Sequence, residues 1–247
     1  MVVSSTYHPG MDLAVISDIH GNLPALEAVL ADIARRGVTE VVNLGDCVLG
    51  PLWPRETCDL LMTRGFPTVR GNCDRSVATL ALADMAPLQR YTAGQLEEAQ
   101  RRWLGDLPAT LRVHQAILAV HGCPDDDKRY LLEDVEQGRL VRAPTDAVAQ
   151  RLGRTDAALV LCGHSHQQHM VRLPGGPLVL NPGSVGLSEV GTPHARYALV
   201  RRNDGAMTID LVAVDYDHAS AVKRAAANDS PRWAYVLATG LTPPAPA

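Results

Sequence analysis

Short apolar runs alternate with longer, helically spaced stretches along the first third of the chain. Residues 12–17, DLAVIS, form an apolar run that predicts a buried strand. Apolar side chains at positions 26, 29, 30 and 33 then recur at helical spacing before Gly37, which predicts a helix over residues 23–36. The chain therefore begins with a strand followed by a helix.

The same unit then repeats. The segment EVVNLGD predicts a second strand that ends at Asp46, and Pro54 suits the first turn of a helix that Gly65 closes. The segment FPTVRGN predicts a third strand over residues 66–72. Because strands that alternate with helices pair in parallel through right-handed crossovers, an α/β fold is expected.

Three further stretches have helical patterns. Residues 75–105 are expected to be helical throughout, with a fresh start where Thr92 and Gln95 have the spacing of a capping box. Shorter helical patterns cover residues 145–152 and, around Pro231, residues 217–239.

After Pro108 the pattern changes to paired strands. Turns between them are indicated by Pro174-Gly175-Gly176 and by Asn203-Asp204-Gly205. The complete pattern predicts two stacked sheets with helices outside. The strands predicted in this part cover residues 110–113, 116–120, 157–162, 169–173, 177–180, 196–200 and 206–214.

Composition places the chain among ordinary globular proteins, since 46% of its 247 residues are hydrophobic and 20% are charged. We expect one domain over residues 11–240, between a disordered leader, 1–10, and a disordered tail, 241–247. The net charge of −4 and the 4% of aromatic residues provide neither the field nor the stacking surfaces that long nucleic acids require.

Membrane and disulfide-based classes are also disfavoured. No apolar run reaches the roughly 18 residues that span a bilayer, and the first residues lack the pattern of a signal peptide. Five cysteines without a CxxC pair argue against a disulfide framework and against a structural zinc knuckle. The protein is therefore expected to be cytoplasmic and to have no membrane partner.

Five short polar motifs follow predicted strands, at loops that leave the carboxyl edge of a sheet, where open α/β sheets bind their ligands. As candidate ligands they supply two aspartates, one asparagine and four histidines, which suit hard to borderline divalent metals and suggest a binuclear hydrolytic site. The motifs are Asp18-Ile19-His20, Gly45-Asp46, Gly71-Asn72-Cys73-Asp74, His121-Gly122 and Gly163-His164-Ser165-His166.

These motifs, in this order, resemble those of the calcineurin-like metallophosphoesterases, and the similarity extends from about Asp12 to Tyr216. The Gly71-Asn72-Cys73-Asp74 motif and the later turn Asn181-Pro182-Gly183-Ser184 are most similar to the small bacterial and archaeal phosphodiesterase branch. The resemblance implies a four-layer α-β-β-α sandwich of two mixed sheets flanked by helices.

The resemblance also implies two divalent metal ions, with manganese first and iron, zinc, cobalt or nickel as alternatives. One ion is expected among Asp18, His20, Asp46 and His166. The other is expected among Asp46, Asn72, His121 and His164, so that Asp46 bridges the two.

Elementary chemistry agrees with a bridging aspartate. One carboxylate can hold two cations about 3.5 to 4 Å apart, the spacing that stabilises the attacking and leaving oxygens of an in-line displacement. A water molecule between the cations loses its proton near neutral pH, so a metal-bridging hydroxide is the expected nucleophile. Together with the resemblance, this makes Asp46, Asn72, His121 and Cys73 the expected catalytic residues.

Cys73 stands where related motifs carry a histidine that protonates the leaving group. A thiol beside two dications tends toward thiolate, which cannot donate a proton, so leaving groups that need little protonation are expected. The alternative is that Cys73 only fills space. Asp74 has two interpretations as well, either as a partner that orients His121 or as a cap of the following helix.

Substrate contacts are less specific in the sequence. Arg55, Arg75 and Arg129 follow the motifs and are candidates to bind a phosphate group, although surface arginines are commonly only solvated. The expected activity is hydrolysis of small-molecule phosphodiesters, such as cyclic nucleotides or aryl diesters. The alternatives are a phosphomonoesterase acting on phosphoprotein or nucleotide, and a non-catalytic scaffold of the same fold.

Overall fold

In a computed structural model, which describes residues 10–203 and 206–243, two mixed β-sheets stack face to face between layers of helices. The strands are β1 (Met11–Ile16), β2 (Glu40–Asn43), β3 (Thr110–Val113), β4 (Ile117–Val120), β5 (Glu133–Glu136), β6 (Arg139–Arg142), β7 (Leu159–Leu161), β8 (Gln168–Arg172), β9 (Leu178–Pro182), β10 (Ala195–Asn203) and β11 (Ala206–Val214). The α-helices are α1 (Leu23–Arg35), α2 (Pro54–Arg64), α3 (Asn72–Thr79), α4 (Pro87–Gln95), α5 (Glu98–Asp106), α6 (Thr145–Leu152), α7 (His218–Ala227) and α8 (Pro231–Thr239).

The two sheets have four and five strands, and each combines parallel and antiparallel pairing. The first has the order β11-β10-β1-β2, with β1 parallel to β2 and antiparallel to β10. The second has the order β3-β4-β7-β9-β8, with a parallel centre of β4, β7 and β9 between antiparallel edges. β5 and β6 form a separate hairpin.

Side-chain alternation along β1 explains the layers. Leu13 and Val15 point between the sheets and pack with residues of the second sheet, whereas Ala14 and Ile16 pack on the helical side. A third apolar cluster joins α6, through Val148, to the far face of the second sheet. The predicted four-layer sandwich is therefore confirmed.

Several predicted elements are confirmed closely. α1 begins after Asn22, whose side chain accepts a hydrogen bond from Ala25 N, and α2 ends at Gly65, which has a left-handed φ of 62°. α6 spans the predicted residues, and the helical segment around Pro231 is divided into α7 and α8. None of the helices in the described ranges is long and apolar enough to cross a bilayer.

The prediction of a third strand over residues 66–72 is wrong. Only an isolated bridge pairs Thr68 with Asn43, in which Asn43 N donates to Pro67 O at 2.9 Å and Val69 N donates to Asn43 O at 3.0 Å. Arg70 N donates to Pro108 O at 2.7 Å. Pro67 has no N–H to extend the pairing, and α3 begins at Asn72.

The prediction that residues 75–105 are helical throughout, with a single fresh start at Thr92, is also wrong, because non-helical residues divide this stretch into three helices and a short 3-10 turn. Thr92 does not start a helix; it lies inside α4, and its buried hydroxyl contacts the backbone of Gly50. The fresh start occurs at Glu97, whose N–H donates to the Gln100 side chain at 2.9 Å. The Thr92 side chain, which local spacing assigns to a helix cap, thus makes a tertiary contact instead.

The β5–β6 hairpin was not predicted. Gln137 and Gly138 between its strands both have positive φ, as a tight hairpin turn requires, but the strands are too charged to show an alternating apolar pattern. Three predicted segments lie outside the described residues: 1–9 of the leader, Asp204-Gly205 of the turn and 244–247 of the tail.

A buried hydrogen bond ties α1 to the first sheet. The Tyr197 hydroxyl donates to Asp32 Oδ2 at 2.6 Å, and Arg35 and Arg36 also contact this carboxylate. Burial opposes ionisation of Asp32, but the hydrogen bonds from Tyr197 and Arg36 hold its pKa below 3.8.

We expect Tyr197→Phe to reduce the free energy of unfolding by about 2 kcal/mol near pH 7, because a buried hydrogen bond to a charged group is lost. Stabilisation from a lowered carboxylate pKa is lost as pH falls, so the difference should shrink toward about pH 3. Urea unfolding at both pH values measures this, with Tyr235→Phe, at a 38% exposed residue, as the control. If the loss of unfolding free energy is the same at both pH values, Asp32 is not the partner of Tyr197.

Candidate metal centre

All seven predicted ligands meet at one edge of the sandwich. Their loops follow β1, β2, β4 and β7, with Asn72 at the start of α3. Two groups have ligand atoms within 4.8 Å of one another: Asp18, His20 and His166 form one, and Asp46, His121 and His164 form the other. Asn72 joins the second group.

In the first group, two imidazoles face each other. His20 Nε2 and His166 Nε2 are 3.0 Å apart, and Asp18 Oδ1 lies 3.3 Å from the latter. Each ring has its Nδ1 against a backbone carbonyl, of Leu49 at 2.9 Å and of Leu187 at 2.7 Å. Because Nδ1 donates to the carbonyl, the Nε2 lone pairs converge on one point beside a carboxylate oxygen.

In the second group, His121 is fixed in the same way. Its Nδ1 lies 2.8 Å from Leu44 O, and its Nε2 faces Asn72 Oδ1 at 3.1 Å and Asp46 Oδ1 at 3.4 Å. With Nδ1 as the donor, a lone pair on Nε2 meets two oxygen acceptors, an arrangement that a cation satisfies.

His164 completes this group. Its Nε2 lies 2.9 Å from Lys128 O, so that Nδ1 remains available as a ligand, and Tyr130 stacks on the ring at a centroid distance of 4.6 Å. The loop after β4 therefore orients His164 as well as providing His121.

Asp46 lies between the two groups. Its Oδ1 is near His121, and its Oδ2 is 3.9 Å from His20 Nε2. The N–H of Cys73 donates to Oδ1 at 2.9 Å, which fixes the carboxylate. One oxygen thus faces each group.

The chemistry of Asp18 tests whether these residues suit metal ions. Its Oδ2 accepts hydrogen bonds from Ser17 Oγ at 2.6 Å and His164 N at 3.1 Å, whereas the buried Oδ1 has no hydrogen-bond partner among the described residues. Burial opposes ionisation, yet His166 lowers the pKa of Asp18 to about 2. An ionised, buried oxygen beside two imidazole lone pairs fits a divalent cation.

The electrostatics of His121 agree with this fit. Burial disfavours its charged form, but the Asp46 carboxylate raises the pKa of His121 to about 10. The two carboxylates therefore favour positive charge at the centre, which bound metal ions would provide in place of protons.

The backbone is strained at most of these positions. Left-handed φ angles of non-glycine residues are uncommon, and they cluster at functional sites, where the surrounding structure enforces them. The candidate ligands with such angles are Asp18, His20 and Asp46 at 54°, His164 at 69° and His166 at 59°.

Two glycines allow the close approach of the loops. A Cβ atom on Gly71 would lie 2.1 Å from Asp46 Oδ1, and one on Gly163 would lie 2.1 Å from Ser17 Oγ. The glycines of these motifs are therefore required because any side chain would displace a candidate ligand or its neighbour.

Asp74 joins the second and third motifs. Its buried carboxylate accepts hydrogen bonds from Gly71 N at 2.9 Å and from the amides of Asp46 and Cys47 at 2.8 Å each. Burial and the negative charge of Asp46 raise the pKa of Asp74 to about 7, although the backbone N–H donors lower it in part. Of its two predicted roles, the structure favours the helix cap, since Leu44 O orients His121.

The turn at residues 181–184, identified in the sequence only through the resemblance, also supports the centre. Asn181 Nδ2 donates to Gly163 O at 2.7 Å, and Ser184 Oγ donates to Asp18 O at 2.7 Å. Trp233 of α8, whose ring edge lies near His20 at a centroid distance of 5.8 Å, was missed because no sequence signal connects α8 with this loop.

Two of the three predicted substrate-binding arginines are paired. Arg75 donates to both oxygens of Asp127, at 2.7 and 2.6 Å, and Arg55 pairs with Glu97. Arg75 and Asp127 line a groove of about 310 Å³ that His121 also borders. Arg129 is exposed in the loop after β4.

The Cys73 thiol is half-buried beside Asn72, whose Nδ2 lies 3.5 Å from its sulfur. Burial and the Asp46 carboxylate raise the pKa of Cys73 well above its ordinary value. The protein residues by themselves therefore favour the neutral thiol, whereas the expectation of a thiolate depends on the charge of the metal ions.

Gly71→Ala should lower metal affinity by about tenfold or more, because the new methyl group displaces Asp46. Metal content after dialysis measures the effect. Gly94→Ala is the matched control, since a Cβ there meets nothing within 4 Å. Equal metal content in both variants contradicts the close packing of Asp46 against Gly71.

Comparison with known proteins gives relatives of similar length. An uncharacterized protein of Methanocaldococcus jannaschii is 29% identical over 245 residues, covering 90% of this chain and 94% of its own. The crystal structure of a metallophosphoesterase from Sphaerobacter thermophilus is 27% identical, with a TM-score of 0.75, and the match covers 94% of this chain and 100% of that one.

A hypothetical protein of Pyrococcus horikoshii shares the fold at 20% identity, with a TM-score of 0.75 and coverage of 94% of this chain and 99% of its own. Residues 11–205, which include all five motifs, match the family model of the calcineurin-like phosphoesterase superfamily domain. The chain therefore belongs to the calcineurin-like phosphoesterase superfamily.

Proposed function

We propose that this metallophosphoesterase hydrolyses small-molecule phosphodiesters at a binuclear metal centre. Manganese is the first choice of metal, and iron, zinc, cobalt and nickel are alternatives. The ligands that we assign are Asp18, His20, Asp46 and His166 for one ion, and Asp46, Asn72, His121 and His164 for the other.

The observation that carries the proposal is the position of Asp46. Its two oxygens face different groups, at 3.4 Å from His121 Nε2 and 3.9 Å from His20 Nε2, in a loop that Asp74 holds. When bound, two divalent ions in these groups supply Lewis acidity, which activates water and neutralises phosphoryl oxygens. The chain contributes the fixed orientation of the imidazoles through their Nδ1 contacts with backbone carbonyls.

The charges beside the centre favour a diester. A monoester dianion carries one more negative charge than a diester, and its binding is helped by an arginine that is not already neutralised. Arg75 is committed to Asp127, and Arg55 to Glu97. Three aspartates, Asp125 to Asp127, line the groove beside His121 against two arginines, Arg70 and Arg75, and this balance of charge suits the singly charged diester.

Cys73 supports the same preference. Its thiol lies next to Asn72, and its raised pKa makes it a poor proton donor. As a thiolate it would donate no proton at all, so either form favours leaving groups that depart without protonation. Aryl esters and strained cyclic phosphodiesters have this property, in line with the small phosphodiesterases that the third motif resembles.

A scaffold role is less consistent with the centre. Five candidate ligands have left-handed backbone angles, and Asp18 Oδ1 is buried without a hydrogen-bond partner among the described residues. Both features cost stability, and an interaction surface gains nothing from them, whereas a metal centre does.

The direct test is hydrolysis of bis-p-nitrophenyl phosphate and p-nitrophenyl phosphate by metal-stripped protein, resupplied separately with Mn, Ni, Co, Zn or Mg. We expect metal-restored hydrolysis with the diester preferred, because of the charge balance and Cys73. A preference for the monoester overturns the diester assignment. Protein that binds two ions but hydrolyses neither ester supports the scaffold.

Asp46→Asn provides the control variant for this assay, because it removes the carboxylate that both groups share. It should abolish activity and lower the content of both metals together. Asp156→Asn, at a surface pair with Arg112, should leave both unchanged. Full activity of Asp46→Asn would contradict the bridging assignment.

Cys73→His should raise monoester hydrolysis relative to diester hydrolysis, because an imidazolium can protonate a poor leaving group. The readout is the ratio of kcat/KM for the two nitrophenyl esters together with an alkyl monoester, and Cys58→Ser, at a buried thiol of α2, controls for loss of a cysteine. An unchanged ratio refutes the leaving-group argument.

A further inference from the structure

The last two helices pack against the loops that orient the first group of candidate ligands. α7 and α8 follow residues 11–205, the part of the chain that matches the family model. They share an apolar cluster with one residue of the loop after β2 and one residue of the loop after β9. This C-terminal cluster includes Leu52, Leu187, Ala221, Ala225, Trp233 and Leu237.

The loop after β2 supplies the contact that orients His20. His20 Nδ1 lies 2.9 Å from Leu49 O. Two residues further along, Pro51 O accepts a hydrogen bond at 2.7 Å from Nδ2 of Asn228, which follows α7. Leu52 then enters the C-terminal cluster. The carbonyl that orients His20 is therefore part of a loop that the last two helices hold.

Trp233 of α8 contacts both His20 and this loop. Its ring edge lies against the imidazole of His20, with a centroid distance of 5.8 Å and an interplanar angle of 75°. A Cβ atom on Gly50, the residue after Leu49, would lie 3.2 Å from two carbons of the indole ring and 2.4 Å from His20 O. The indole, the loop and His20 therefore pack in direct contact.

The loop after β9 orients His166 and is held by the same helices. His166 Nδ1 lies 2.7 Å from Leu187 O, and the Leu187 side chain belongs to the C-terminal cluster. Further along this loop, Gly191 N donates to Gly240 O at 2.7 Å, directly after α8. Both imidazoles of the first group thus take their orientation from loops that pack against α7 and α8.

The second group is oriented by other parts of the fold. His121 Nδ1 faces the carbonyl of Leu44, which packs between the two sheets. His164 Nε2 faces the carbonyl of Lys128, in the loop after β4. Neither Leu44 nor Lys128 belongs to the C-terminal cluster. A change in α8 should therefore affect the first group and leave the second group unchanged.

We propose that Trp233 is a positioning residue for the metal ion of the first group, which it serves by holding His20 and the carbonyl of Leu49 in place. The inference rests on the binuclear centre proposed above. Because groups that orient a ligating histidine change metal affinity by about 10- to 100-fold, loss of the indole should weaken one ion selectively. A residue that served only the stability of the domain would weaken both ions together.

The experiment is equilibrium dialysis of the metal-stripped full chain against graded free Mn²⁺, with bound manganese measured by mass spectrometry. We expect two binding events in the wild type. Trp233→Ala should weaken one event by about tenfold and leave the other within about twofold, whereas Trp233→Phe, which keeps an aromatic ring, should restore most of the affinity. Tyr235→Ala, at a 38% exposed residue of the same helix, is the matched control and should change neither event.

Variants of the two ligand groups identify the affected ion. Trp233→Ala should add no further loss to His166→Ala, which removes a ligand of the first group, and should add its full effect to His164→Ala. Asn228→Ala removes the hydrogen bond to Pro51 without changing the C-terminal cluster, and it should weaken the same ion by about threefold. Circular dichroism establishes that each variant is folded, and Asn228→Ala decides the question if Trp233→Ala does not fold.

Equal weakening of both ions by Trp233→Ala, or of neither, overturns the inference and leaves the binuclear centre in place. Wild-type protein that binds no ion sensitive to His166→Ala overturns both. Selective weakening of the first ion supports the role of Trp233 even if the protein hydrolyses neither nitrophenyl ester. Failure of this inference and failure of the proposed phosphodiesterase activity are therefore distinguishable.

Discussion

Two ionised carboxylates at the meeting point of the sheets set the main constraint on this structure. Asp18 and Asp46 are almost fully buried, and a buried negative charge is stable only with positive charge and hydrogen bonds around it. Four imidazoles surround the two carboxylates, three of them with Nε2 directed inward by a backbone carbonyl. The centre is thus an electrostatic unit that the rest of the fold must hold in register.

The fold meets this constraint through contacts between loops. Asp74 ties the loop of Asp46 to the start of α3, and Ser184 ties the loop of Asp18 to the turn after β9. The left-handed backbone at five candidate ligands is tolerated because these hydrogen bonds and the close glycine packing over-determine the loops. The strained backbone and the buried charge therefore occur together at the candidate ligands.

Charge pairing also links the candidate centre to the proposed substrate preference. Asp127 satisfies Arg75, so the groove beside His121 provides no uncommitted cation from that arginine for a second negative charge. One principle, that buried charges need partners, underlies the candidate metal centre and the proposed diester preference.

By itself the sequence determined the strand and helix order around β1, the end of α2 at Gly65 and the polar motifs at strand ends, because periodicity, glycine and strand-terminal loops act locally. It also indicated, through the resemblance, which side chains would meet. Only the tertiary structure decided the rest. Thr92 contacts Gly50 instead of capping a helix, Arg70 N donates to Pro108 O, and Arg75 is neutralised by Asp127. Such partners are distant along the chain, so no local pattern encodes them.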